Sequence, residues 1–142
     1  MEQIKINSSI KKYQIVDENG DELGIVQVNT TDVNFCDRVK KAEKVVNSAI
    51  ASVQNIGDMD PEERIITLVK ADKQIKEQLD YMFDYNISDI VFGNRNCLSL
   101  SGGEMPIVQF MDGILPYIKQ SITEERRRSE EKIGKYTRGY GV

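Results

Sequence analysis

Between Leu79 and Ile118 the chain stops a helix twice, inserts one short amphipathic turn and a loop, and then resumes. Long segments of helical apolar periodicity lie on either side. This punctuation constrains the fold more than any other feature, because helices joined through short connections pack as neighbours. At 142 residues, with 39% hydrophobic and 30% charged residues, the chain suits one domain around one core. We expect a mostly α fold with a small N-terminal β-hairpin (α+β). Residues 1–123 form the domain, with 1–30 the hairpin and 31–123 three to four helices, and 124–142 form a charged, partly flexible tail.

The hairpin rests on Tyr13–Val16 and Gly24–Val28 flanking Asp17–Glu22. Asn19-Gly20 at the centre predicts a type I′ turn, which needs positive φ at both positions. Ile4 and Ile6 are candidates for a third strand. The acidic residues in the turn do not make an EF-hand loop. Counting from Asp17, the glycine falls fourth rather than sixth, and Val28 stands where the twelfth-position glutamate belongs.

The first helix begins at Asp32, a suitable N-cap, and carries Phe35, Val39, Ala42, Val46, Ala49, Val53 and Ile56 on one face, ending at Gly57. The stripe resembles a coiled-coil seam through which two copies could associate. At under four heptads it reads first as a face docked on the chain's own core. The second helix opens on Asp60-Pro61-Glu62-Glu63, a cap, a helix-compatible proline and negative charge at the positive end of the dipole. Its expected apolar face is Ile65, Leu68, Val69, Ile75, Leu79, Met82 and Phe83, with Asp72 on the same face. Asn86 caps a short helix, Ile87 to Phe92, which Gly93 stops. A loop follows from Asn94 to Gly103. The next helix carries Ile107, Phe110, Met111, Ile114, Leu115 and Ile118, and Pro116 predicts a kink or break near Asp112-Gly113. Beyond it TEERRRSEEK reads as a solvated helical extension and GKYTRGYGV as a frayed tail.

Composition excludes several classes of chemistry. The chain has no histidine, which removes the commonest neutral-pH base, the usual triads and most zinc sites. Leu100-Ser101-Gly102-Gly103-Glu104 approaches the LSGGQ signature of ABC ATPases, but there is no GxxxxGK[ST] beside which it could act, so it reads as a flexible loop before a helix. Asp80 and Asp84 share a helical face at i and i+4 and read as solvated surface rather than an acid–base pair. Cys36 and Cys97 are not a CxxC pair and are expected to be reduced thiols. No catalytic residue, metal site or cofactor is assigned, and the chain is expected not to be an enzyme. The longest apolar runs are as short as Ile65-Ile66, and the N-terminus lacks the apolar region of a secretory signal. No membrane partner is expected.

A net charge of −4 argues against nucleic acid as a partner. The exception in sign is Glu124–Val142, where six basic residues outnumber four acidic ones. Interleaved charges around Arg126-Arg127-Arg128 suit a solvated helix. They also suit a docking segment for an acidic protein, with Arg127, Tyr136, Arg138 and Tyr140 as anchors.

The order of elements resembles a protein family. A short β segment precedes VNTTDVNFCDRVKKAEKVVNSAI, the next helix ends in LDYMFDYNISDIVFG, an apolar helix follows, and the charged tail contains KYTRGYG. These features, with Phe83-Asp84 and Val91-Phe92-Gly93 matching an F-D-x(n)-φ-F-G pattern, are similar to those of the small tail-assembly chaperones of long-tailed, siphovirus-like phages and prophages of Gram-positive bacteria. The resemblance covers most of the chain. Family members commonly finish in a more basic Asn/Arg-rich tail, whereas this one ends Arg138-Gly139-Tyr140-Gly141-Val142. The resemblance implies a non-enzymatic protein of the host cytoplasm that binds the tape-measure protein and keeps it soluble, with the tail-tube protein a further partner. Helix-in-groove binding would shield such a long amphipathic helix. Phe83, Phe92, Phe110 and Met111 are the expected apolar binding set, large and adaptable side chains that alternatively form core. The second reading is a small acidic regulatory or inhibitor protein, of the phage anti-defence kind, engaging a basic site on a larger partner.

Overall fold

The structure, a computed structural model, describes residues 1–139, save for the side chains at positions 125, 129, 132 and 135–139. An antiparallel two-stranded hairpin, β1 (Ile10–Val16) and β2 (Glu22–Asn29), precedes four α-helices. These are α1 (Val33–Ser52), α2 (Pro61–Phe83), α3 (Ile87–Phe92) and α4 (Pro106–Gly139), with a 3₁₀ segment at Ile56–Asp58. The fold is the expected mostly helical α+β. Ile4 and Ile6 are exposed and add no strand.

The hairpin turn differs from the expected type I′. The Gly20 amide donates to the Asp17 carbonyl at 3.0 Å, and Gly20 alone in the turn takes positive φ, at 83°. That is a type I turn followed by a left-handed glycine. The cause is Asp17, whose carboxylate accepts the amides of Asn19 and Asp21 at 2.9 and 3.0 Å. The register runs from Ile10 opposite Asn29 to Ile15 opposite Gly24, then slips so that Val16 faces Glu22. Leu23 is therefore the extra residue of a bulge. Val26 and Val28 enter the core, with Tyr13 and Ile15 packed beside them. Gly24 lies against Ile90 of α3 so closely that a β-carbon there would overlap the Ile90 side chain. Tyr85 closes the far edge of β2, accepting the Gln27 amide at 3.1 Å and donating to the Ile25 carbonyl at 3.3 Å.

α1 starts as expected, with the Asp32 carboxylate accepting the Asn34 amide at 2.9 Å. Phe35, Val39, Ala42, Val46, Ala49 and Val53 are all buried, so the stripe docks on this chain's core. The helix ends at Ser52 rather than at Gly57. Val53 and Gln54 donate back to Ile50 and Ala51 at 3.2 Å, tightening the chain into 3₁₀ spacing before the glycine is reached.

α2 is capped by Asp60, which accepts the Glu63 amide at 2.9 Å. Ala71, Ile75, Leu79, Met82 and Phe83 fill the core. The expectation for its first turns is corrected, because Ile65 and Val69 are 63% and 58% exposed, beside Ile66 at 67%. The inner side of those turns is held instead by polar contacts to the preceding connection. Arg64 donates to the Met59 and Gly57 carbonyls, and the Thr67 hydroxyl reaches the Met59 sulfur. At 100° per residue, Ile66 and Val69 then face away from Ala71 and Ile75.

α2 ends on Asp84 in the left-handed conformation (φ 60°), with the Arg38 side chain donating to the Met82 carbonyl. α3 is not capped by Asn86, which makes no side-chain cap bond. Asp80 performs that role from the preceding helix, accepting the Ser88 amide and hydroxyl, each at 2.9 Å. The following loop, expected to be flexible, is bonded down onto α2. Asn96 donates to the Leu68 carbonyl at 3.2 Å, the Cys97 amide to Asp72 at 2.8 Å, and Lys76 to the Arg95 carbonyl at 2.7 Å. Ser101 and Glu104 exchange two backbone hydrogen bonds across Gly102 and Gly103, whose φ values of 61° and 82° give the type I′ arrangement.

α4 runs as one helix through Pro116, without the break that was one of the two expected outcomes. Asp112, Gly113 and Pro116 all lie on its exposed side, so the carbonyl that Pro116 leaves unpaired is open to water. Ile107, Phe110, Met111, Ile114 and Ile118 form the inner face. The hairpin lies along α4, with the Tyr13 and Tyr117 rings 5.1 Å apart and Lys11 donating to the Ser121 hydroxyl at 3.0 Å. Among the described residues no helix is long and apolar enough to cross a membrane.

Candidate functional site

The structure brings the expected apolar set together, and places it inside. Phe83 is 6.0 Å from Phe35 and 6.1 Å from Phe110 between ring centroids, and Phe110 is 6.3 Å from Phe92. Phe83, Phe92, Phe110 and Met111 are 6%, 5%, 7% and 7% exposed. These rings join α1, α2, α3 and α4 in one tilted and edge-on cluster, the arrangement aromatic quadrupoles favour. The four residues are core, and none of them lies open to a partner in this conformation. Arg127 is exposed on the outer part of α4. The side chains of Tyr136 and Arg138, and the whole of Tyr140, lie outside the described residues.

The polar candidates have structural partners. Asp80 caps α3, Asp84 forms the left-handed end of α2, and Asp17 organises the hairpin turn. Among the described residues no group of three potential ligands is placed to hold a metal ion. Both thiols are free. Burial, reinforced by the Asp32 carboxylate, raises the Cys36 pKa. Burial, followed by the neighbouring Asp72 carboxylate, pushes the Cys97 thiol up to about 12. These are the surroundings of inert thiols, not of nucleophiles.

The Cys97 shift has a pH consequence. The unfolded thiol ionises near 9.0 while the folded one resists until about 12, so this contribution to stability is complete below pH 9 and is lost as pH rises towards 12. The urea midpoint is expected to fall between pH 8 and pH 10.5, and to fall less in Cys97→Ala. An equal decline in both proteins would remove Cys97 as a source.

Among the described residues, exposed apolar side chains gather on the hairpin and on α2. On the hairpin Ile10, Val16, Leu23 and Ile25 are each 43% to 48% exposed. On α2, Glu62, Ile66, Val69 and Lys73 form an exposed row at spacings of four, three and four, flanked by Ile65. Sequence reasoning assigned Ile65 and Val69 to the core and passed over Ile66. The signal was a second apolar stripe, with charged residues at both ends, on the side opposite Ala71 and Ile75. A shallow groove of about 340 Å³ lies between α1 and α4, bordered by Lys40, Lys44 and Lys119, with Glu43 3.9 Å from Lys119. Beyond Ile122, α4 carries exposed Arg126, Arg127 and Ile133, with Arg126 paired to Glu130 at 3.4 Å. In comparison with known proteins, the chain matches no family model, no curated protein and no solved structure.

Proposed function

We propose that the chain is a non-enzymatic tail-assembly chaperone of a long-tailed phage, binding the tape-measure protein and keeping it soluble in the host cytoplasm during tail assembly. The observation that carries this reading is the outer face of the hairpin. Ile10 and Val16 on β1 and Ile25 on β2, with Leu23 in the bulge, leave apolar surface open on a ribbon whose other face is core. Half-exposed aliphatic side chains of this kind suit reversible shielding of an amphipathic partner. The outer part of α4, with Arg127 exposed, offers a second contact along a rod that continues for about 25 Å past Ile122 at the usual helical rise. The tail-tube protein is a further partner in the same reading.

Co-expression of the full chain with a Gram-positive phage tape-measure protein, followed by pull-down at low and high salt, tests it. Capture is expected at both salt concentrations, because apolar contact is not screened. The double substitution Val16→Lys, Ile25→Lys, which sets opposite charge across from Glu22, is expected to abolish capture while leaving the unfolding midpoint near that of the parent. No tape-measure capture, together with a salt-sensitive complex with a basic protein, would replace this reading with that of a small acidic regulator or inhibitor.

A further inference from the structure

We propose that α2 is a self-association surface, pairing antiparallel with α2 of a second copy about a twofold axis between Thr67 and Leu68. The proposal does not rest on the chaperone reading. Glu62, Ile66, Val69 and Lys73 share one exposed helical face, on the side away from Ala71, Ile75 and Leu79. Ile66 and Val69 are 67% and 58% exposed. Among the described residues neither Glu62 nor Lys73 has an ion-pair partner.

The row is self-complementary. It is acidic at its N-terminal end, apolar in the middle and basic at its C-terminal end. The midpoint of Glu62 and Lys73 coincides with that of Ile66 and Val69, so a single twofold satisfies both pairs at once. Each Glu62 then meets Lys73 of the other copy, and each Ile66 meets Val69. Ile65 lies on one margin of the seam, the side on which Ile65 of the second copy also lies, and Lys70 lies on the other, so Ile65 adds apolar area only at that edge. Such matched, isologous contact is what a closed dimer requires. A parallel arrangement would instead set Glu62 against Glu62 and Lys73 against Lys73. Three apolar side chains per copy fall well short of the roughly 800 Å² per partner of a standard interface, so the dimer is weak and concentration-dependent.

Sedimentation equilibrium on the full chain, from low micromolar to near-millimolar concentration, tests the pairing. The weight-average mass is expected to rise from monomer towards dimer. Lys73→Glu places like charges in both symmetry-related pairs and is expected to weaken the dimer by about tenfold. The combination Glu62→Lys, Lys73→Glu restores opposite charges and is expected to recover it. Ile66→Asp should give a monomer at every concentration with an unchanged unfolding midpoint, since that side chain contributes little to the core. A mass that stays monomeric throughout overturns the proposal and leaves the α2 row to a different protein. A dimer indifferent to Lys73→Glu and Ile66→Asp also overturns it, assigning association to another face.

Discussion

Phe83→Ala is expected to lower unfolding stability by about 3–5 kcal/mol, the cost of a cavity left by a buried aromatic side chain. Phe83 closes the last turn of α2 and packs its ring against Phe35 of α1, Tyr85 of the following connection and Phe110 of α4. No single neighbour can move in to fill the space, because each is anchored on a different element. Small domains have only about 5–15 kcal/mol in total, so the loss is a large share of the whole. Urea denaturation reads it as a lowered midpoint with an unchanged slope. A loss below about 1 kcal/mol would remove Phe83 from the core and return it to the list of partner-binding candidates.

Asp72→Ala is expected to cost about 1.5–3 kcal/mol, although it deletes only one small side chain. Asp72 is the point at which the loop after α3 is fixed to α2. One carboxylate oxygen accepts the Cys97 amide at 2.8 Å, and the other lies 3.2 Å from Lys76, which itself donates to the Arg95 carbonyl. Both charged side chains are more than four-fifths buried. Removing the carboxylate strands an amide next to a fully buried thiol and leaves a largely buried ammonium without its counter-charge. Asp72→Asn keeps an acceptor for the amide and is expected to lose less. Hydrogen exchange supplies a local readout, with the Cys97 amide exchanging faster in Asp72→Ala than in Asp72→Asn. Equal exchange in the two variants would show that the loop is held by other contacts.

Such residues show where sequence reasoning reaches its range. Asp32 and Asp60 were legible as caps because each bonds an amide within three residues, a distance that the sequence itself spans. In sequence Asp72 reads as a residue of the apolar face of α2 and Asp80 as solvated surface. Their partners lie 25 and 8 residues away, and only packing brings them within reach. The candidate site divides in the same way. Helical spacing placed Phe83, and Phe110 with Met111, on the apolar faces of their own helices, but whether those faces met a partner or one another was not visible. Periodicity identifies an apolar face without identifying what covers it.

The sequence by itself determined the element order, the hairpin, the starts of α1 and α2 and the stop of α3 at Gly93. All of these depend on short-range chemistry: strand alternation, caps, helical spacing and glycine's tolerance of positive φ. Tertiary structure decided which of two apolar rows on α2 is core. It also decided that Asp80 rather than Asn86 caps α3, and that Pro116 sits where a missing donor costs little. Burial is a property of three-dimensional neighbours. The same leucine-like spacing is interior at Ile75 and Leu79, where other elements close over it, and surface at Ile65 and Val69, where none does.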